Sequence, residues 1–313
     1  MIPLVTGATG FAGSHLVDRL LRSHDAVAAW SNPSSVRQPS TQARVSWTAV
    51  DLLDRDALQR SLEAQRPSVI FHCAGVPHVA EAWGHAARAL QINAFATSLL
   101  LEAVSDAHLP CTVVITGSAL VYRPAARPLA EDDPLGPSDP YGISKLAQEV
   151  AGMRSAARVV LTRSFNHAGP RQLASFATSS FARQIAEIEA GVREPVLHVG
   201  NLDARRDLTD VRDVVRAYEK LAVSGQPRLP YNVCSGVAYR VGDLLDKLLA
   251  MARVRIAVQQ DPSRMRPNDN PLVVGDPSRL EAHTGWRAEI PIERTLSDLL
   301  EWWRGRIAAG ASQ

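Results

Sequence analysis

The chain opens on an apolar run, Ile2 to Val5, that breaks at Thr6-Gly7 and resumes as a helical pattern from Phe11. Between and just beyond the break stand three glycines at intervals of three, in the string Thr6-Gly7-Ala8-Thr9-Gly10-Phe11-Ala12-Gly13. Strand, glycine turn and helix in that order aim the free N–H groups of a helix start at whatever sits above the strand end, which suits a phosphate. Gly7 is suited to the tight turn. Gly10 lets the backbone approach a pyrophosphate with no Cβ in the way, and Gly13 lets the helix lie close on the sheet. The spacing is G-x-x-G-x-x-G rather than G-x-G-x-x-G. A glycine triplet also serves in an ordinary turn, but its position after a strand favours a dinucleotide cradle formed by Gly7, Gly10, Phe11, Ala12 and Gly13.

The second apolar run, Ala26 to Trp30, ends in Ser31-Asn32-Pro33-Ser34, with Arg37 nearby. A cofactor without a 2′-phosphate usually meets an Asp or Glu at this strand end. None stands here, so Ser31 and Asn32 favour NADPH, with NADH as the alternative. Asp51-Leu52 follows the third apolar run and is placed to meet the adenine. His72-Cys73-Ala74-Gly75 closes the fourth and is placed along the far side of the cofactor, with Ala74 against it.

A second motif, Tyr141-Gly142-Ile143-Ser144-Lys145, puts a phenol and an ammonium four residues apart, on one face of a helix. An isolated phenol titrates near 10. A neighbouring ammonium favours its ionised form and makes proton transfer practicable near neutrality. Ser118, at the end of the fifth apolar run, is placed to hydrogen-bond the same substrate oxygen. Y-x-x-x-K alone describes many amphipathic helices. Joined to the glycine turn and the strand-end serine, it describes a proton-transfer site.

Strand-like runs near 2–6, 26–30, 44–50, 68–73, 111–116 and 158–163 alternate with helical patterns at 11–22, 54–65, 86–107 and 140–154. That alternation specifies an α/β chain with a doubly wound parallel sheet of the Rossmann type. Beyond Pro170 the regularity breaks, with helices expected at about 174–191, 211–223, 241–253 and 294–308. A smaller, discontinuous C-terminal domain follows from this reading. Residues 1–170 plus about 208–235 form the dinucleotide domain, and about 171–207 plus 236–313 form the substrate domain. The proline-rich stretch from Tyr122 to Asp139 reads either as a gate over the substrate or as a rigid surface loop.

Composition narrows the partners. A net charge of +2 over 313 residues gives no field for nucleic acid or an anionic membrane. Three cysteines, without metal-ligand spacing, read as free thiols in a reducing compartment. No run of 18 apolar residues suggests a membrane span, and the first strand leaves no room for a signal peptide, so a cytoplasmic protein is expected. In the C-terminal half, Arg183, Arg205-Arg206-Asp207 and Arg264-Met265-Arg266 offer guanidinium forks suited to a diphosphate. Asn166, just past the sixth strand, is expected to face a sugar and the nicotinamide together. Beside it, His167 is either a cofactor contact or a structural histidine.

These strings, with Asn93, Ser118-Ala119-Leu120-Val121-Tyr122 and Arg163-Ser164-Phe165-Asn166-His167-Ala168-Gly169-Pro170, resemble those of the extended short-chain dehydrogenases/reductases, the family of sugar-nucleotide epimerases, dehydratases and reductases. The resemblance runs from Thr6 to about Leu300. It implies that Ser118, Tyr141 and Lys145 are catalytic, that Lys145 and Tyr141 also hold the nicotinamide ribose, and that the chain forms a homodimer through helices at about 86–107 and 140–154. Arg123 stands where the family often has glycine, which bears on the local loop path rather than on the chemistry. Within the family, Val199-Gly200-Asn201-Leu202-Asp203-Ala204-Arg205-Arg206-Asp207, Asn232-Val233-Cys234-Ser235-Gly236 and Arg264-Met265-Arg266-Pro267 are similar to the GDP-4-keto-6-deoxy-D-mannose reductases. Those enzymes make GDP-D-rhamnose. Substrate contacts are then expected from Ser118, Asn166, Arg183, Arg206 and Arg266.

A dehydratase needs a further acid/base to expel water, and the family supplies it as a Glu two residues after the catalytic Ser or Thr. Here Ala119-Leu120 follows Ser118, and neither moves a proton. Dehydration is disfavoured. Reduction of a C4 ketone in a nucleotide-diphosphate 4-keto-6-deoxyhexose is favoured, giving GDP-D-rhamnose or its C4 epimer GDP-6-deoxy-D-talose. An NAD-dependent 4-epimerase and a catalytically silent NADP-binding regulator are the alternatives.

Overall fold

The computed structural model describes residues 2–34, 42–77, 79–265 and 270–310, without the side chains of 79–81. In chain order the first half runs β1 (Pro3–Thr6), α1 (Phe11–Leu20), β2 (Val27–Ser31), β3 (Val45–Ala49), α2 (Arg55–Gln65), β4 (Val69–His72), α3 (Val79–Gly84), α4 (Ala86–Leu90), α5 (Ala96–Asp106), β5 (Thr112–Ser118), α6 (Pro140–Arg154) and β6 (Arg158–Ser164). The second half is β7 (Asn166–Ala168), α7 (Ala177–Glu189), β8 (Val196–Val199), β9 (Arg205–Asp210), α8 (Val211–Ser224), β10 (Pro230–Val233), β11 (Ala238–Arg240), α9 (Val241–Ala250), β12 (Ala257–Gln260), β13 (Leu272–Val273), α10 (Ser278–Thr284) and α11 (Ile292–Ala308).

Seven parallel strands form one sheet in the order β10-β6-β5-β4-β1-β2-β3. Strands β1, β2 and β6 are buried almost throughout, as strands covered on both faces must be, so they read as continuous apolar runs rather than alternating ones. On one face α1 and α8 pack with Leu16, Leu20, Val214, Tyr218, Leu221 and Trp286. On the other, Leu58 and Leu62 of α2 meet Leu100 and Val104 of α5 against Ile70, Val113 and Ile115. Each such fully buried side chain contributes roughly 1.5–3 kcal/mol. The strand order reverses between β1 and β4, and their carboxyl ends open a crevice where ligands bind in sheets of this kind.

A second core lies outside the sheet, where Phe181 and Ile185 of α7, Leu244 and Leu248 of α9 and Leu296 and Trp303 of α11 pack together. Beside it β9 joins β11, β13 and β7 in a small sheet, and β8 pairs with β12.

Two expectations are refined. The helical pattern at 86–107 is not one helix: a π-helical turn at Gln91–Phe95 separates α4 from α5 and turns Asn93 fully inward. The proline-rich stretch after Tyr122 is a fixed loop. Leu129 N–H donates to the Val274 carbonyl, Asp276 N–H donates back to Leu129, and Glu131 is buried, accepting from Asn232 N–H.

Candidate active site

The glycine turn sits where β1 meets the crevice. Gly7 adopts φ +62, and a Cβ there would stand 2.7 Å from the Ala74 backbone at the end of β4, so both conformation and space call for glycine. Gly10 caps α1 in an extended conformation and donates to the Gly7 carbonyl at 2.9 Å. Gly13 lies in the first turn of α1 against that same carbonyl. No acidic residue occupies that first turn, which leaves the positive helix end for an anion. Ala74 N–H donates to the Thr6 hydroxyl at 3.3 Å, tying the two strand ends together.

Phe11 is stacked on His167 with centroids 5.6 Å apart and planes 6° from parallel, and meets His15 edge-on. His15 bonds the Pro170 carbonyl at 2.8 Å and His167 bonds the Phe165 carbonyl at 3.0 Å. Burial pushes His15 down to about 4 and holds His167 below its ordinary value. These rings join the glycine-turn helix to the strand that carries Asn166, which is exposed on β7 opposite Leu208. Ser31 ends β2 half-buried, and the exposed Asn32 accepts from the Ser34 N–H and hydroxyl at 2.8 Å, shaping a turn with no carboxylate. Arg37 lies outside the described residues. Asp51 is exposed and folds back onto the Leu53 N–H, with Leu52 half-buried.

Ser118 closes β5 and is nearly buried. Helix α6 starts beside it because Asp139 caps the Gly142 N–H at 2.9 Å and Pro140 takes the first helical position. Gly142 makes the close docking possible, since a Cβ there would collide with the Leu120 carbonyl. The result brings Tyr141 close enough to Ser118 for the serine hydroxyl to favour the ionised phenol. Burial pushes that phenol up to about 12, with the Ser118 contact opposing and Asp139 reinforcing the rise.

Lys145 is buried one turn further along. Its ammonium donates to the Thr116 carbonyl and the Gln148 side-chain oxygen, both at 2.8 Å, and burial lowers it to about 8. The expected direction of the phenol is therefore reversed. Lys145 is engaged with Thr116 and Gln148, and burial dominates at Tyr141, so the phenol is a held proton rather than a ready anion. A phenol that holds its proton more firmly is a donor, which is the form ketone reduction needs.

The arginines separate. Arg183 on α7 pairs with Glu187 at 2.6 Å, lies 5.6 Å from the Trp303 ring, and shares with Arg193 and Arg264 a pocket of about 220 Å³. Arg264 itself bonds Asp261 and Ser180. Three guanidiniums against Glu187 leave this pocket cationic. Arg206 is not among its described walls: it lies half-buried on β9, opposite Tyr239 and Val273, and donates to the Arg205 carbonyl. Arg266 lies outside the described residues.

Sequence reasoning passes over two groups. Asp207 is fully buried, accepts from Ser235, Gly236 and Gly275, and welds β9 to the turn after β10. Glu149, one turn beyond Lys145, forms a two-point buried ion pair with Arg163 of β6. The Asp that follows Arg205-Arg206 signals the first in the sequence, and the i+4 continuation of Tyr141 and Lys145 signals the second.

Known proteins are similar to this chain in sequence and in fold. The family model of GDP-mannose 4,6 dehydratase matches residues 4–299. GDP-6-deoxy-D-mannose reductase of Pseudomonas aeruginosa is 37% identical over 97% of both chains, and GDP-mannose 4,6-dehydratase of Vibrio cholerae is 26% identical over 95% of this chain and 92% of its own. The solved structure of RMD from Pseudomonas aeruginosa complexed with NADPH superposes with a TM-score of 0.86 at 35% identity, over 97% of this chain and 99% of that one. With the match spanning both cores and the crevice between β1 and β4, the chain belongs to the GDP-mannose 4,6 dehydratase family, among the extended short-chain dehydrogenases/reductases.

Proposed function

We propose that the protein reduces the C4 ketone of a nucleotide-diphosphate 4-keto-6-deoxyhexose with NADPH. GDP-4-keto-6-deoxy-D-mannose is the preferred substrate, and GDP-D-rhamnose or its C4 epimer GDP-6-deoxy-D-talose the product. One observation carries the reading: Ser118 at the end of β5, the half-buried Tyr141 and the buried Lys145 one turn further along α6 come together beside a dinucleotide turn, with Ala119-Leu120 where an eliminating enzyme needs an acid. The relative named GDP-6-deoxy-D-mannose reductase supports it, and so does a neighbour solved with NADPH.

The residues present suit that cofactor. Gly7, Gly10 and Gly13 open the backbone to a pyrophosphate at the start of α1, with Phe11, Ala12 and Ala74 beside it. Ser31 and Asn32 offer hydroxyl and amide groups, and no carboxylate, to a 2′-phosphate. The bound nicotinamide supplies hydride. Ser118 holds the substrate oxygen and Tyr141 gives it a proton, while Lys145 presents a positive charge that eases the phenol's loss of that proton. Asn166 and His167 border the sugar and nicotinamide. Of the arginines expected at the diphosphate, Arg183 is the one placed in a cationic pocket, with Arg264 beside it, while Arg206 stands apart and Arg266 lies outside the described residues; binding of the diphosphate there, remote from C4, sets the geometry at C4. The dinucleotide half comprises 1–170 with about 208–235, and the substrate half 171–207 with 236–313; β10 pairing with β6 supports this division.

Two copies associate through an exposed apolar face formed by Trp83, Leu90, Phe95, Ile143 and Val150, on and beside α4 and α6. The three free cysteines suit the reducing cytoplasm. Among the described residues no helix is long and apolar enough to cross a membrane.

The test is an assay of GDP-4-keto-6-deoxy-D-mannose with NADPH and with NADH, the products resolved at C4. Oxidation of NADPH matched by a 4-hydroxy product is expected. Absence of NADPH oxidation, or formation of the ketone from GDP-mannose, would overturn the reading.

A further inference from the structure

Behind Lys145 runs a buried chain of side chains whose direction is settled by its donors. Lys145 donates to the Gln148 oxygen at 2.8 Å, and the Gln148 amide nitrogen donates to the Thr97 hydroxyl at 3.0 Å. Thr97 spends its own proton on the Asn93 carbonyl at 2.7 Å. It must therefore accept from His72 Nε2, 2.9 Å away. His72 is then neutral with its proton on Nε2, and its Nδ1 accepts from the Thr6 hydroxyl at 2.8 Å. Thr6, Thr97, His72 and Gln148 are all completely buried. The Gln148 amide cannot flip without losing both partners, so its oxygen is held toward the ammonium.

We propose that Gln148 is a positioning residue for the proton-transfer pair: a neutral amide, locked by Thr97, that aims the Lys145 ammonium and leaves its third N–H for the reacting groups. The proposal rests on the assignment of Tyr141 and Lys145 above. The surroundings show why a neutral acceptor matters. From β4 and the turn after it, His72 and Cys73 face the lysine, the first held neutral and the second a thiol that burial pushes up to about 12; from β5 comes the Thr116 carbonyl. Gly75 and Asn93 border it without charge. On its own helix, Glu149 is taken by Arg163, and Tyr141 lies near Ser118. No carboxylate among the described residues acts on Lys145; its acceptors are two neutral oxygens, of Thr116 and Gln148, and of the two only the one at 148 belongs to a side chain.

The test uses opposite chemistry at one position. Gln148→Glu places an anion on the ammonium and is expected to move the Lys145 titration up by about 1–3 pH units. Gln148→Met, close in volume and without an acceptor, is expected to move it down. The chain contains three lysines, so a protein labelled with ¹³C at lysine Cε gives a Lys145 signal that can be followed against pH without cofactor or turnover. The alkaline limb of the NADPH-dependent reduction is expected to move in the same two directions. Unchanged Lys145 titration and an unchanged limb in the variants would overturn the proposal, because a purely structural glutamine weakens the fold without moving either. Gln148→Met keeps the measurement decisive if the buried anion of Gln148→Glu prevents folding. Loss of the reductase reading would instead show as wild-type protein without turnover, with the titration shifts intact.

Discussion

At the residue scale, what decides the chemistry is the protonation each side chain keeps when buried. Tyr141 retains its proton because the desolvation of a phenolate outweighs the Ser118 contact. Tyr141→Phe is expected to lower turnover by roughly 10²–10⁴ while NADPH binding persists, as read from steady-state rates beside a fluorescence titration of the cofactor. The histidines yield a second outcome. His15 and His72 are held neutral down to about 4 and about 3. In the unfolded chain both protonate near pH 6.5, so below that pH the unfolded state binds the additional protons and stability falls as the medium becomes more acidic. Each is expected to contribute a loss of roughly 1.4 kcal/mol per pH unit down to its folded value. Urea midpoints measured between pH 7 and 4 check this, and His72→Gln should flatten the slope. The glycines and the Tyr141/Lys145 pair are legible as local spacing. Gln148 and Thr97 are not, because their partners are far apart in sequence and a lone amide in a helix carries no pattern.

At the scale of elements, α6 is held in place by more than its apolar face. Asp139 and Pro140 start it, Gly142 lets it dock on the turn after Ser118, and Glu149 pins its middle to β6 through Arg163. Arg163 also donates to the Tyr122 hydroxyl and the Glu131 carbonyl, so the same guanidinium anchors the proline-rich loop. Both members of the pair are about 3% exposed. Arg163→Met leaves Glu149 as an unpaired buried charge and is expected to cost about 3–5 kcal/mol in urea unfolding. The double variant with Glu149→Leu should regain much of that, since it removes the orphaned charge. The sequence pattern places α6 and β6 within a residue of their observed bounds, because caps and continuous apolar runs are local signals. It does not separate a gate from a rigid loop after Tyr122, because the bonds that hold Leu129 come from Val274 and Asp276, far along the chain.

At the scale of the whole molecule, the apolar residues left on the surface point to association. Trp83, Phe95 and Ile143 are each about half exposed or more, on neighbouring segments, and no other Trp or Phe among the described residues is exposed. Light scattering is expected to give twice the 33.9 kDa of one chain, and Phe95→Glu to give a single chain, because a buried carboxylate at that face has no partner. A wild-type protein that runs as one chain would remove the dimer from the account.

The parallel sheet, its dinucleotide turn and the chemistry-bearing pair are written in the order of the residues alone. Each depends on residues within a few positions of one another, where steric limits on the backbone and the periods of strand and helix act directly. Folding in three dimensions was needed to establish that the phenol holds its proton, that Lys145 leans on Gln148, and that Arg183 and Arg264 share a pocket apart from Arg206. Those outcomes follow from desolvation and from partners brought together by the fold, and both are properties of packing that no local stretch of chain contains.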